Sequence, residues 1–79
     1  GLNDKIADIY QQLVDLLPSK LNFISFKNNE YAIKNNCDEV ITRLSHNKGQ
    51  TKITAKHGTD IKWTLTNKNI GVFVDFISA

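Results

Sequence analysis

The sequence predicts an α+β two-layer sandwich, with two helices packed on one face of an antiparallel sheet. Three observations lead there. Two segments place apolar residues at helical spacing behind capping residues, and several short segments alternate apolar with polar residues between asparagine- or glycine-containing turns. The third is size: 79 residues with one cysteine form a single domain that no internal disulfide or zinc cluster can staple, so packing alone must hold it.

Residues 4 to 17 predict the first helix. Ile6, Ile9, Leu13, Leu16 and Leu17 make the apolar stripe, flanked by Tyr10 and Val14. Asn3 or Asp4 can cap its start, Asp4 and Asp8 suit the positive end of the helix dipole, and Pro18 stops it by biasing Leu17 away from helical geometry. Residues 21 to 27 (LNFISFK) and 30 to 34 (EYAIK) then predict a strand pair turned at Asn28-Asn29, since asparagine tolerates positive φ.

The segment 36 to 49, NCDEVITRLSHNKG, predicts a second helix. Asn36 is placed to cap it, with Glu39 three residues on to complete a capping box. Cys37, Val40, Ile41 and Leu44 form its stripe, Arg43 and His46 fall in its last turn, and Gly49 provides a left-handed exit. The remainder predicts three strands: 50 to 57, 61 to 66 and 70 to 78, separated by the turns GTD and NKN. The order is α-β-β-α-β-β-β. The expected core includes Ile9, Leu13, Leu16, Val40, Ile41, Leu44, Ile53, Trp63, Val72 and Val74.

The last segment, IGVFVDFIS, read as a strand, is apolar on both faces, with Ile70, Val72, Val74 and Phe76 on one and Phe73 and Ile77 on the other. Helices can cover only one sheet face, so an interaction surface is expected around Phe73, Asp75 and Ile77, or at the edge of the short strand carrying Tyr31 and Ile33. Asp75 is either a solvent-facing charge that discourages wrong pairing or an interfacial charge awaiting a basic partner.

The catalytic ingredients are sparse. Cys37, His46 and His57 could supply a thiol–imidazole pair, but a lone cysteine near a helix start is more often a small filler, and a histidine in a last turn is favoured by the dipole without further purpose. No phosphate-cradling glycine loop, metal-spaced cluster or nucleophile elbow is present in the sequence, so no catalytic residue, cofactor or metal is expected. A formal charge of +2 with acids interleaved among the lysines argues against a nucleic-acid partner. Lys52, Lys56 and Lys62, sharing a face with Thr54 and Thr64, come nearest to a phosphate track. No apolar stretch of the sequence reaches membrane-spanning length. The chain opens with Gly-Leu rather than Met, so a processed chain or a fragment of a longer protein is expected.

The succession LVDLLPSKLNFISF, NNEYAIKN and DEVITRLS, followed by closing strands, resembles the circularly permuted ferredoxin-like periplasmic modules of inner-membrane assembly-platform proteins in type IV pilus and type II secretion systems (the fimbrial-assembly group). The resemblance covers nearly the whole chain and rests on element order and the Leu17-Pro18 stop, with residues 61 to 66 as an additional strand. It implies a non-enzymatic protein–protein interaction scaffold on the periplasmic side of the inner membrane, carried by a single-pass anchor outside this stretch. Such a scaffold would pair with itself or a related domain and meet other assembly proteins. A minor pilin or pseudopilin domain and the periplasmic sensor of a membrane-anchored regulator are the nearest alternatives. An intracellular immunity or inhibitor module and a small thiol enzyme stand further off.

Overall fold

A computed structural model describes residues 4–27 and 29–79. The elements are α1 (Asp4–Leu16), β1 (Asn22–Lys27), β2 (Glu30–Lys34), β3 (Val40–Ser45), β4 (Ile53–His57), β5 (Ile61–Leu65) and α2 (Ile70–Ser78). The α+β class holds, with two helices and a five-stranded antiparallel sheet. The order differs from the expected one. Residues 40–45 are a strand, residues 70–78 are a helix, and the sheet is a meander in the order β1-β2-β3-β4-β5.

Helix α1 forms where its stripe demanded it. Ile6, Ile9, Tyr10 and Leu13 are buried, and the Leu17 amide still donates to the Leu13 carbonyl at 3.0 Å before Pro18. The alternative cap, Asn3, lies outside the described residues, as does Asn28 of the β1–β2 turn. Asn29 in that turn takes the left-handed φ of 63°.

The segment read as a second helix becomes a hairpin because Asn35 builds a turn. Its side-chain oxygen accepts from the amides of Cys37 and Glu39, and the Asp38 amide donates to its carbonyl at 3.1 Å. Asp38 sits at φ 63°, which reverses the chain before Val40. The consecutive β-branched residues Val40, Ile41 and Thr42 then favour a strand over a helix. Pairing with β2 and β4 supplies its hydrogen bonds. A register shift between Ile33 and Lys34 leaves Ile41 as the extra residue of a bulge. Gly49 does adopt a left-handed φ, of 84°, but in the β3–β4 connection.

The last segment is a helix because Ile70, Phe73, Val74 and Ile77 fall at i, i+3, i+4 and i+7, and all four are buried. A two-residue reading of the same run put Val72 inside; it is 62% exposed. Leu16 and Val40 likewise lie on the surface, while Ile41 and Trp63 are half-buried against the core and the other expected core residues are fully buried.

Both helices pack on one face of the sheet. Two inward cross-strand rows run Phe23–Ile33–Thr42–His57–Ile61 and Ser25–Tyr31–Leu44–Ala55–Trp63. Over β1 and β2, Tyr10 meets Tyr31 and Phe23 at ring-centroid distances of 4.5 and 5.9 Å. Over β4 and β5, Phe73 meets Trp63 edge-on at 5.4 Å. The β5–α2 connection is pinned by Asn69, whose amide nitrogen donates to the Thr64 carbonyl and whose oxygen accepts from the Thr66 amide, both at 2.8 Å. Asn69→Ala should therefore cost about 1–2 kcal/mol in urea unfolding, the sum of two ordinary hydrogen bonds. No measurable loss would show that the connection is held by packing alone.

Candidate functional site

The residues expected to form an interaction surface separate in the structure. Ile33, Phe73 and Ile77 are buried together in the core, so no exposed apolar patch centres on Phe73 and Ile77. The reason is the helix: its i, i+3, i+4 stripe turns both residues toward the sheet. Tyr31 is half-buried, stacked on Phe23 at 5.1 Å with planes 20° apart. Strand β2 is internal, between β1 and β3, and offers no edge. Asp75 stays exposed on α2.

The chemistry-bearing side chains are also apart. His46 Nδ1 lies 2.9 Å from the Tyr10 hydroxyl, and His57 Nδ1 lies 2.8 Å from Thr42 Oγ1. Cys37 is exposed in the β2–β3 turn. Each histidine is thus engaged with a hydroxyl of the helix–sheet interior rather than with the thiol. Among the described residues no three His, Cys, Asp or Glu side chains gather as metal ligands, and no helix is long and apolar enough to cross a membrane. A shallow depression of about 330 Å³, lined by Lys5, Asp8, Ile9, Thr51, Thr66, Asn67 and Lys68, lies beside the start of α1.

The sheet edges carry more information. The open edges belong to β1 and β5. Strand β1 is irregular, its register against β2 shifting between Ser25 and Lys27, and such a bulge blunts an edge. Strand β5 pairs with β4 in unbroken register from Ile61 to Leu65 and presents a regular free edge. Apolar side chains cluster beside it. Ile61 is 43% exposed, Trp63 is half-buried, and Val72 and Phe76 of α2 are 62% and 40% exposed. Phe76 touches Trp63 and the His57 ring at centroid distances of 5.5 and 5.3 Å. Val72 and Phe76, four apart, lie together along one flank of α2. Once the segment is read with a 3.6-residue period, these two are the apolar residues left outside the inward stripe, and that signal was in the sequence.

Comparison with protein-family models, curated proteins and solved structures finds no match for this chain.

Proposed function

We propose that this protein is a non-catalytic interaction module that pairs with a second copy of itself through β5. The observation that supports this reading is the regular edge of β5 lying beside exposed Ile61, Val72 and Phe76. Antiparallel pairing about a two-fold axis at Trp63, the middle of the strand, sets Ile61 against Leu65 and Lys62 against Thr64 of the other copy. The lysines avoid each other, and the flanking apolar side chains of α2 gain cover. The scaffold role implied by the resemblance is kept in this reading, but the αββαβββ order on which the resemblance rested is not the order of this chain. The edge, not the family, supports it.

Sedimentation across a concentration series tests this directly. The wild-type chain should form dimers as concentration rises, with amide-exchange protection increasing in β5 and not in β1. Ile61→Lys with Phe76→Asp, both at exposed positions, should remain monomeric with an unchanged circular-dichroism spectrum. A wild-type chain that stays monomeric up to its solubility limit, or dimers that leave β5 exchange unaltered, would overturn the reading.

A further inference from the structure

The sheet face opposite the helices is uncovered, and its charges are ordered by the strand register. One row runs Ile24–Ala32–Arg43–Lys56–Lys62 across all five strands. The next runs Lys27–Glu30–Ser45–Thr54–Thr64. Arg43, Lys56 and Lys62 are exposed and directly opposite one another on β3, β4 and β5. Like charges facing across strands destabilise a sheet, so folding gains nothing from this arrangement. Among the described residues the one ion pair is Lys34 with Asp38, at 3.1 Å, so Arg43, Lys56 and Lys62 hold no ion pair, and Glu30 on this face stands opposite Lys27 in the next row. At the β1 end stands Phe26, 46% exposed, with the Arg43 guanidinium carbon 4.8 Å and the Lys27 ammonium 5.6 Å from its ring centroid.

We infer that this open face binds single-stranded nucleic acid. Three adjacent cations complement a run of phosphates. The hydroxyls of Ser45, Thr54 and Thr64 in the neighbouring row are donors of the kind that contact phosphate and sugar oxygens. The Arg43 plane, held over Phe26, is a platform on which an unstacked base can lie, as bases do on arginine and aromatic side chains. An acidic protein segment is less well matched. Its carboxylates would meet the cations but carry no π-face to lie on the Arg43–Phe26 stack, which unstacked bases supply. The sequence argued against nucleic acid because its basic residues look dispersed. Reading residues 40–45 as a helix had placed Arg43 at a helix end, and the strand brings it into line with Lys56 and Lys62. The face shares Lys62 and Thr64 with β5, but self-pairing uses that strand's backbone edge. Phe26, Arg43 and Lys56 lie on β1, β3 and β4, so binding at the face does not require self-pairing.

Fluorescence anisotropy with labelled oligo(dT) and oligo(rU), a duplex of equal length, and polyglutamate as competitor provides the test. Binding to the single strands should weaken with salt at a log–log slope of about −2, from three phosphate contacts at about 0.7 each. Lys56→Gln with Lys62→Gln should reduce that slope to about −0.7, the share of one remaining contact, and Phe26→Ala should weaken binding roughly ten-fold. The charge-matched control Lys5→Gln with Lys48→Gln should leave the slope unchanged, and circular dichroism should show all variants folded. Comparing oligo(dT) with oligo(rU) tells whether the sugar is read. The inference fails if the control lowers binding as much as the face variant. It also fails if the duplex binds as tightly as the single strands, if polyglutamate competes equally per charge, or if no salt-sensitive binding occurs.

Discussion

Replacing Phe73 by alanine is expected to cost about 3–5 kcal/mol, the range for deleting a buried aromatic side chain. Phe73 is fully buried and lies edge-on to Trp63 at 5.4 Å and 66°. A chain of 79 residues has a total stability of roughly 4–12 kcal/mol, so this one change removes much of it. The loss should be concentrated in α2. With nine residues it is too short to persist alone in water, and Phe73 is its central anchor. Urea unfolding followed by Trp63 emission measures the effect, with Val72→Ala as the neighbouring control. Val72 is 62% exposed and its truncation should change stability by less than about 0.5 kcal/mol. Equal losses at the two positions would argue for a strand at 70–78 and against the helix.

The second large effect is expected at Tyr10. Its ring is 6% exposed and touches Phe23, Tyr31 and His46, so Tyr10→Ala should cost about 3–5 kcal/mol. Tyr10→Phe keeps the packing and removes the hydroxyl opposite His46, which should cost about 1–2 kcal/mol. The pair also shapes the pH dependence. Burial, followed by the neighbouring Tyr31, raises the Tyr10 phenol above its ordinary value of 10.0. The folded state therefore holds this proton more tightly than the unfolded state; stability is full below pH 10 and falls as pH rises beyond it. Burial lowers His46 below its ordinary 6.5, so its contribution is present above pH 6.5 and is lost as pH falls. Chemical denaturation at acid, neutral and alkaline pH should give a maximum between these limits. An alkaline loss of the same size in Tyr10→Phe would remove Tyr10 as its cause.

The helix α1, the strands β1, β2, β4 and β5, and the α+β class were legible in the sequence because their local signals agree with their tertiary roles. The two exchanged elements show where such signals divide. Residues 36–49 carry helix punctuation at Asn36, Glu39 and Gly49, yet the neighbouring Asn35 builds a turn that excludes it. Val40, Ile41 and Thr42 were the contrary signal, and the decisive one. In IGVFVDFIS every second residue and every third-or-fourth residue is apolar, so both periods fit. The uncovered sheet cannot be read from such a run, and it takes Ile70, Phe73, Val74 and Ile77 onto itself. The apolar flank of α2 and the place of Arg43 beside Lys56 and Lys62 were hidden for the same reason, since each exists only once these two segments have their observed conformations.

The meander has a consequence for how the chain assembles. Every strand pairs with its neighbour in sequence, so the sheet can zip up hairpin by hairpin with little loop entropy to overcome, the condition for rapid folding. Leu44, Ile53 and Leu65 nevertheless remain wet until a helix arrives, and one helix precedes the strands in sequence while the other follows them. Their meeting over the sheet joins the segments farthest apart in this sequence, so it carries the largest loop-closure cost in the fold. Residues 70–78 are synthesised after all five strands, so the nascent sheet waits with its apolar face half-covered until they emerge. Completion of the fold is thereby tied to completion of this stretch of chain.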